Sequence, residues 1–435
     1  MMLTRPLACA GLRPRARSAR RWTSLEQLWC SAPEFQICKS FSSCATPTPR
    51  PPVVNAMAPA YKGPSVAVVG AGVAGCVCAS TLAERGIPVT LFEMGRGPGG
   101  RMSQRRETTS DGKELFFDHG AQYFTVKFPA VQKLVDRWLA SGLVKEWSGK
   151  FGSFDRVKMS FQDETFEDDS PKYVGVPGMN SICKAMSKQP GVTTAYGTTV
   201  GSLTWKEGNA LGVWHLGSKN GDNLGSYAAV VAADKSLASE RFTALTGLPP
   251  PLEKAGVPDI YAKMTKLKSV SVFTVMVAFA EGLASVPFDR FTIERSNLLA
   301  GAVRVSSKPG REVVENSEYW VLHSTIEYAK QIIEEEGYSK PSSESLNKIA
   351  DTLFQEFKEI VPEAPTPFFM KAHRWGSAFP AQVAAQEEKC LVDPSRRIAA
   401  CGDYCVGPRI ECAILSGLAA ADNIQRLLEV SGSKI

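Results

Sequence analysis

The chain has 435 residues, 44% of them hydrophobic and 22% charged, a composition that suits a globular protein with a large core and room for two domains. Its formal net charge of +6 comes from residues 1–57, which hold eight Lys/Arg and two Asp/Glu; beyond them the chain is balanced, 42 basic against 42 acidic. That balance excludes a basic nucleic-acid footprint from the folded part.

Residues 1–25 carry six arginines and no acid. Residues 42–60 are rich in Ser, Thr and Pro, and Val54-Asn55-Ala56 is a candidate processing site. Residues 1–57 therefore read as an organelle transit peptide or disordered leader. The Ser/Thr/Pro continuation points to the chloroplast, with the mitochondrion as the alternative. The competing reading is a basic tail with no address.

Val66-Ala67-Val68-Val69 is a short apolar run, the pattern of a buried parallel strand. Gly70-Ala71-Gly72-Val73-Ala74-Gly75 follows at once, then a helical pattern over Cys76 to Arg85 and a second apolar run, Val89 to Phe92, closed by Glu93. Strand, glycine turn, helix, strand and acid together form the dinucleotide fingerprint. Gly70 permits the turn, Gly72 lets backbone approach a pyrophosphate, and Gly75 lets helix and strand pack closely. Glu93, one helix and one strand beyond Gly75, can accept hydrogen bonds from a ribose.

Further along, Ala130 to Leu139 is an amphipathic helix, and Gly175-Val176-Pro177-Gly178 a loop leading to a helix over Asn180 to Ser187. Short strands follow, including Val213 to Leu216 and Ala228 to Ala232, the latter returning to the parallel sheet. Strands are expected at Val270 to Ala280, Phe291 to Glu294 and Tyr319 to Ser324. A helix over Ser343 to Val361 carries Leu346, Ile349, Leu353, Phe354 and Phe357 on one face. Val270 to Ala280 is too short to span a bilayer. The parallel pattern resumes with Arg397 to Cys401, a turn at Gly402-Asp403 and a helix over Ile410 to Leu428.

The fold class is thus α/β: a discontinuous Rossmann-type dinucleotide-binding domain with an inserted α+β substrate domain. The expected nucleotide-binding segments are 63–140, 178–236 and 385–430; the substrate segments are 141–177 and 237–384. Cys76 and Cys78 read as packing residues, and neither the cysteine spacing nor the four histidines support a metal site. Cys405 reads as a packed cysteine in preference to a flavin tether.

Two later motifs favour FAD over NAD. Gly99-Gly100-Arg101-Met102 places a cation where it can approach phosphates or a reduced flavin. Gly402-Asp403 offers a carboxylate to the ribityl chain or pyrophosphate. The helix behind it, starting over Pro408 to Glu411, can turn its positive end to the pyrimidine of a noncovalently bound flavin. Glu411 can equally complement the helix dipole. His119 is either a proton relay or a satisfied structural residue. His373 and Trp375 either line the substrate cavity or fill core.

These motifs, with Asp118-His119-Gly120-Ala121-Gln122-Tyr123 and His373-Arg374-Trp375, resemble renalase and its relatives in the flavin monoamine-oxidase superfamily, over residues 65–428. The resemblance implies a two-domain amine-oxidase-like fold. It implies contact of Ala74 and the glycines with the pyrophosphate, Glu93 on the adenosine ribose, Arg101 near pyrophosphate and flavin, and Gln122 and Tyr123 beside the isoalloxazine. It implies hydride transfer from a small reduced substrate, such as an NAD(P)H-derived dihydronicotinamide, onto FAD, with electrons then passing to oxygen; the residues leave a quinone open as acceptor. The chain departs from the family pattern at His119, where Leu is usual, and in its leader. No lysine stands in a recognisable motif beside the flavin. The alternatives are an amine oxidase or desaturase of the same superfamily, or an assembly factor in which FAD only supports the fold.

Overall fold

The valine run Val66–Val69 is buried on both sides and lies inside a six-stranded sheet. The computed structural model describes residues 64–163, 170–207 and 212–432; the leader and its expected address lie outside them. The sheet order is Leu391–Asp393, Ile398–Ala400, Ala229–Ala232, Val66–Val69, Val89–Glu93, Val192–Tyr196. Pairing is parallel except for the terminal hairpin 391–400. Strands distant in sequence thus return to the first one, as the apolar runs predict.

The first helix, Val73–Glu84, packs on the last, Ile410–Gly432. A Cβ on Gly417 would lie 2.4 Å from the Ala74 carbonyl oxygen, so a glycine there allows the contact. This packing brings the start of the C-terminal helix to the glycine turn.

The second sheet has seven strands, in the order Phe369–Pro380, Ser269–Phe279, Glu318–Ser324, Leu299–Arg304, Arg290–Glu294, Phe151–Asp155, Ser160–Asp163. In the long strand Ser269–Phe279, alternate residues serve two cores. Phe273, Val275, Val277 and Phe279 pack with Ile349, Leu353, Phe354 and Phe357 of the helix Ser343–Ile360. Met276 and Ala278 pack on the other face with Leu115 and Phe117 of the hairpin 104–118. Burial on both faces explains why that run is apolar throughout instead of alternating.

Several expectations need correction. The strand Leu299–Arg304 and the helix Ile326–Glu336 had no assignment. Gly175, placed in a loop, ends a strand, Tyr173–Gly175, paired with Val144–Glu146. Gly402-Asp403 opens a one-turn helix, Asp403–Val406, instead of a simple turn. Residues 240–267, grouped with the substrate segments, pack on the six-stranded sheet: Phe242, Leu252, Ile260 and Met264 share a core with Val69 and Val230. A parallel sheet must be covered on both faces, and this segment supplies the second cover.

Candidate active site

A cavity of about 1180 Å³ extends from the glycine turn to the seven-stranded sheet. That exceeds the usual ~300–1,000 Å³ of a small-molecule pocket and suits a cofactor together with a substrate.

At its nucleotide end, Gly70 has φ +111°, and its amide donates to the Phe92 carbonyl at 2.8 Å. Gly72 caps the first helix with φ −68°, and a Cβ there would meet nothing within 4 Å. Gly75 is the opposite case: its Cβ would lie 1.9 Å from the Gly70 carbonyl oxygen. The helix Val73–Glu84 has no side-chain cap and no acid in its first turn, so its N–H groups and positive end remain available to an anion. Ala74 lies on this wall.

Glu93 accepts from the Ala71 amide at 2.8 Å and the Gly95 amide at 2.6 Å. Burial raises its pKa against those two hydrogen bonds. It therefore braces both glycine turns from the cavity edge. The Gly99 amide donates to the Ala71 carbonyl at 2.8 Å, stacking the second turn on the first. Gly100 follows at φ +52°.

Arg101 and Asp403, each expected to face the cofactor, face each other. The guanidinium makes a bidentate pair with the carboxylate at 2.6 and 2.7 Å and donates to the Ala378 carbonyl at 3.0 Å. Burial opposes the Arg101 charge, but Asp403 outweighs it and holds the pKa above its ordinary value. The pair ties three distant segments together on the cavity wall, and 42% of the Arg101 side chain is exposed there. Gly402 lies beside it.

At the other end, three of the chain's four histidines line the cavity. Thr274 stands in register opposite His323 on one side and His373 on the other, so the three form a row across adjacent strands. His119 lies 4.9 Å from His373 and 4.8 Å from Trp375, ring to ring. The Trp375 indole donates to the His119 carbonyl at 2.9 Å. The Thr274 hydroxyl and His119 Nδ1 are buried with no hydrogen-bond partner among the described residues. Both residues line the cavity, although these two atoms themselves are buried.

All three histidines are neutral at pH 7. Burial, His373 and Arg105 push His119 down to about 3. Burial and Lys308 push His323 to about 4. Burial, Arg105, Arg241 and Arg374 push His373 to about 4. The unfolded chain therefore binds more protons than the folded one between pH 6.5 and about 4, and stability falls as pH drops through that window. His323 alone should remove about 2 kcal/mol between pH 7.5 and pH 5. Denaturant midpoints at the two pH values check this, with His323→Gln flattening the slope; an unchanged slope in the variant would refute the assignment.

Tyr123 lies on the cavity wall, packed against Trp147 and Phe151. Gln122, expected beside the isoalloxazine, does not line the main cavity. It lines a side pocket of about 60 Å³ that shares Tyr123, Val272 and His323 with the main cavity. Its amide nitrogen donates to the Asp118 carbonyl at 2.6 Å and the Gly120 carbonyl at 3.1 Å, and its oxygen accepts from Lys308 at 2.6 Å. The short Gly120-Ala121 step before it takes up the wall position, turning Gln122 inward.

Lys308 and Arg311 went unnoticed in the sequence, where Ser306-Ser307-Lys308-Pro309-Gly310-Arg311 looks like a surface turn. Both are buried against Asp118. Burial lowers Lys308 to about 7, and Asp118 acts against that shift. No local pattern could reveal partners so far apart along the chain. Glu411 is 1% exposed and accepts from the amides of Lys127 and Phe128. It thus anchors the stretch before the helix Pro129–Ala140 as well as standing in the first turn of its own helix. Cys405 is buried and lies off the cavity lining. Among the described residues no group of metal ligands converges, and no helix is long and apolar enough to cross a membrane.

Residues 68–138 match the profile of an NAD(P)-binding Rossmann-like domain, and residues 139–425 that of flavin-containing amine oxidoreductases. The chain belongs to the flavin-containing amine oxidoreductase family. It is an oxidoreductase, and its cofactor is FAD. The site fits that cofactor: an uncapped helix start, an open face at Gly72 and a cavity reaching from there to a second sheet.

Among curated proteins, this flavin amine oxidoreductase is 40% identical over 74 residues to a carotenoid phi-ring synthase of Streptomyces griseus, covering 17% of this chain and 14% of that protein. It is 42% identical over 77 residues to the chloroplastic/mitochondrial protoporphyrinogen oxidase 2 of Arabidopsis thaliana, covering 18% and 14%. Each match thus spans about one seventh of the relative. Similar solved structures include an oxidoreductase from Methanosarcina mazei, with a TM-score of 0.59 at 14% identity, covering 82% of this chain and all of that one. A putrescine oxidase bound to putrescine gives a TM-score of 0.58 at 12% identity, covering 84% and 99%. These similarities show a shared fold.

Proposed function

We propose that this flavin amine oxidoreductase takes hydride from a small reduced donor of dihydronicotinamide type, as renalase-like enzymes do. One observation carries the reading: the substrate wall holds three neutral histidines, and the charges that act on His373 are those of Arg105, Arg241 and Arg374. Glu107, the acid nearest them along the adjoining hairpin, is engaged by Arg105 at 2.5 Å and Lys371 at 3.0 Å. Arginines 105, 241 and 374 push His373 down. Beside His373 an ammonium substrate meets the repulsion of these three arginines; an uncharged or anionic donor does not.

FAD, when bound, supplies a two-electron acceptor that later passes its electrons to oxygen or a quinone. In this reading Gly70, Gly72, Ala74, Gly75 and the first helix bind its phosphates, Glu93 braces the ribose end, and the Gly99-Gly100 turn with the Arg101–Asp403 pair closes the middle. His119, Thr274, His323 and His373 orient the donor by hydrogen bonds, and Trp375 helps exclude water. A dihydropyridine donor needs no general base, so neutral imidazoles suffice. The leader 1–57 carries an organelle address in this reading, supported by its arginine-rich, acid-free start.

Anaerobic titration of the FAD-loaded protein distinguishes the possibilities. Reduced nicotinamides, including minor isomers of NADH and NADPH, should bleach the flavin band near ~450 nm, and putrescine should not. Bleaching by amines alone would refute the reading and favour an amine oxidase. Bleaching by no small donor would favour a desaturase with an apolar substrate or a non-catalytic assembly factor.

A further inference from the structure

On the cavity rim, Arg241 and Arg374 converge on one point. A Cβ built on Gly376 would lie 2.6 Å from Arg241 Nη1 and 4.0 Å from Arg374 Nε. Two guanidinium groups therefore bracket a bare stretch of backbone at the cavity wall. Arg374 is held in place: it donates to the Tyr338 carbonyl at 2.8 Å and makes a longer contact, 3.5 Å, with that of Gly337. Among the described residues, Arg241 has no hydrogen bond or ion pair, and no carboxylate pairs with Arg374. Burial and Arg241 lower the Arg374 pKa, and Glu336 does not offset them, as expected for two like charges near each other without a paired counterion.

Charges of one sign are normally dispersed or compensated in a fold. Here two are brought together, one fixed and one free, beside residues that line the cavity. Guanidinium groups bind phosphate and carboxylate oxygens through paired, charge-assisted hydrogen bonds, and two of them can share one anion. The Arg241 side chain has no hydrogen bond to another described residue to break on binding, so the cost is its hydration and rotamer freedom. Glycine at 376 leaves the room for it to lie there.

We propose that Arg241 and Arg374, bracketing Gly376, form a clamp for an anionic tail of the substrate, a phosphate or a carboxylate. This rests on the reading of the cavity as the site of a small reduced donor and deepens it: the reacting end meets the Thr274 row, and the charged tail stays at the rim. The clamp would set KM more than the rate of hydride transfer, because it touches a part of the donor remote from the reaction.

The test measures anion binding, so it stands apart from turnover. FAD-loaded full-length protein is titrated calorimetrically with inorganic pyrophosphate and, separately, with succinate. Saturable binding is expected, weakened about ten- to a hundredfold in Arg241→Gln. Gly376→Ala, which forces the Arg241 guanidinium aside, should weaken it too and serves if the first variant folds poorly. Tighter pyrophosphate identifies a phosphate tail; tighter succinate identifies a carboxylate. Absence of saturable binding by either anion, or equal affinity in wild type and both variants, would overturn the clamp. Failure of every dihydronicotinamide to reduce the flavin, with anion binding intact, would instead remove the donor reading and leave the clamp standing.

Discussion

Replacing Asp118 with alanine should destabilise the protein by about 3–5 kcal/mol, enough to unfold a marginal domain at ordinary temperatures. Asp118 is 1% exposed and ends the strand Glu114–Asp118. One carboxylate oxygen accepts from the Met179 amide at 3.0 Å. The other takes Arg311 through both Nε, at 3.0 Å, and Nη2, with Lys308 Nζ 3.5 Å away. Arg311 goes on to donate to the carbonyls of Gly175 and Pro177 at 2.9 and 2.6 Å. The alanine variant leaves the Arg311 guanidinium buried with no anion, while Lys308, already lowered to about 7, gives up its proton; the loss is the cost of that stranded charge more than the value of any single bond.

The comparison with Lys308→Met separates these contributions. Methionine removes an amine whose burial costs more than its attraction to Asp118 returns, since its pKa is pushed down to about 7. Arg311 still satisfies the carboxylate. The expected loss is about 1 kcal/mol, and the double variant Asp118→Ala/Lys308→Met should recover part of the larger one. Chemical denaturation of the FAD-loaded protein at pH 7.5 measures all three. Equal midpoints for wild type and Asp118→Ala would show that the network is not structural. Because His119, Gly120 and Tyr123 follow directly on Asp118, the variant that folds least should also hold flavin least.

The contrast between these residues and the glycine turn explains what the sequence could and could not disclose. The turn, its helix and Glu93 lie within one unit of chain, where spacing dictates geometry, and the strands at 229–232 and 398–400 were legible because buried parallel strands leave continuous apolar runs. His119, His373 and Trp375 stood out as scarce residue types, and they do meet in space. His323 and Thr274 did not stand out, because their meaning comes from cross-strand register between segments well separated along the chain. Arg101 and Asp403 were visible individually; their pairing over 302 positions was not. Lys308 and Arg311 sit in a Pro-Gly turn whose local chemistry says surface, and only the packed fold buries them.

Gly72→Ala and Gly75→Ala should fail in opposite ways, although they lie three positions apart. At Gly72 the backbone angle is ordinary for any residue and the added methyl meets no protein atom within 4 Å. The apoprotein should therefore unfold at the wild-type denaturant concentration. Its methyl, however, occupies the face on which backbone must approach the pyrophosphate, so FAD affinity should fall by about a hundredfold or more. At Gly75 the methyl would lie 1.9 Å from the Gly70 carbonyl oxygen and 3.0 Å from Ala233 Cβ. Neither can yield without moving a buried strand, so the helix must back away. The apoprotein should lose roughly 1–3 kcal/mol or more from overpacking, with flavin lost as a consequence. Denaturation of the two apoproteins, followed by FAD titration of whichever folds, reads the difference. A stable Gly72→Ala that binds FAD as wild type does would show that the cofactor does not cross this turn. A Gly75→Ala as stable as wild type would show that helix and strand are not in the close contact that the turn imposes.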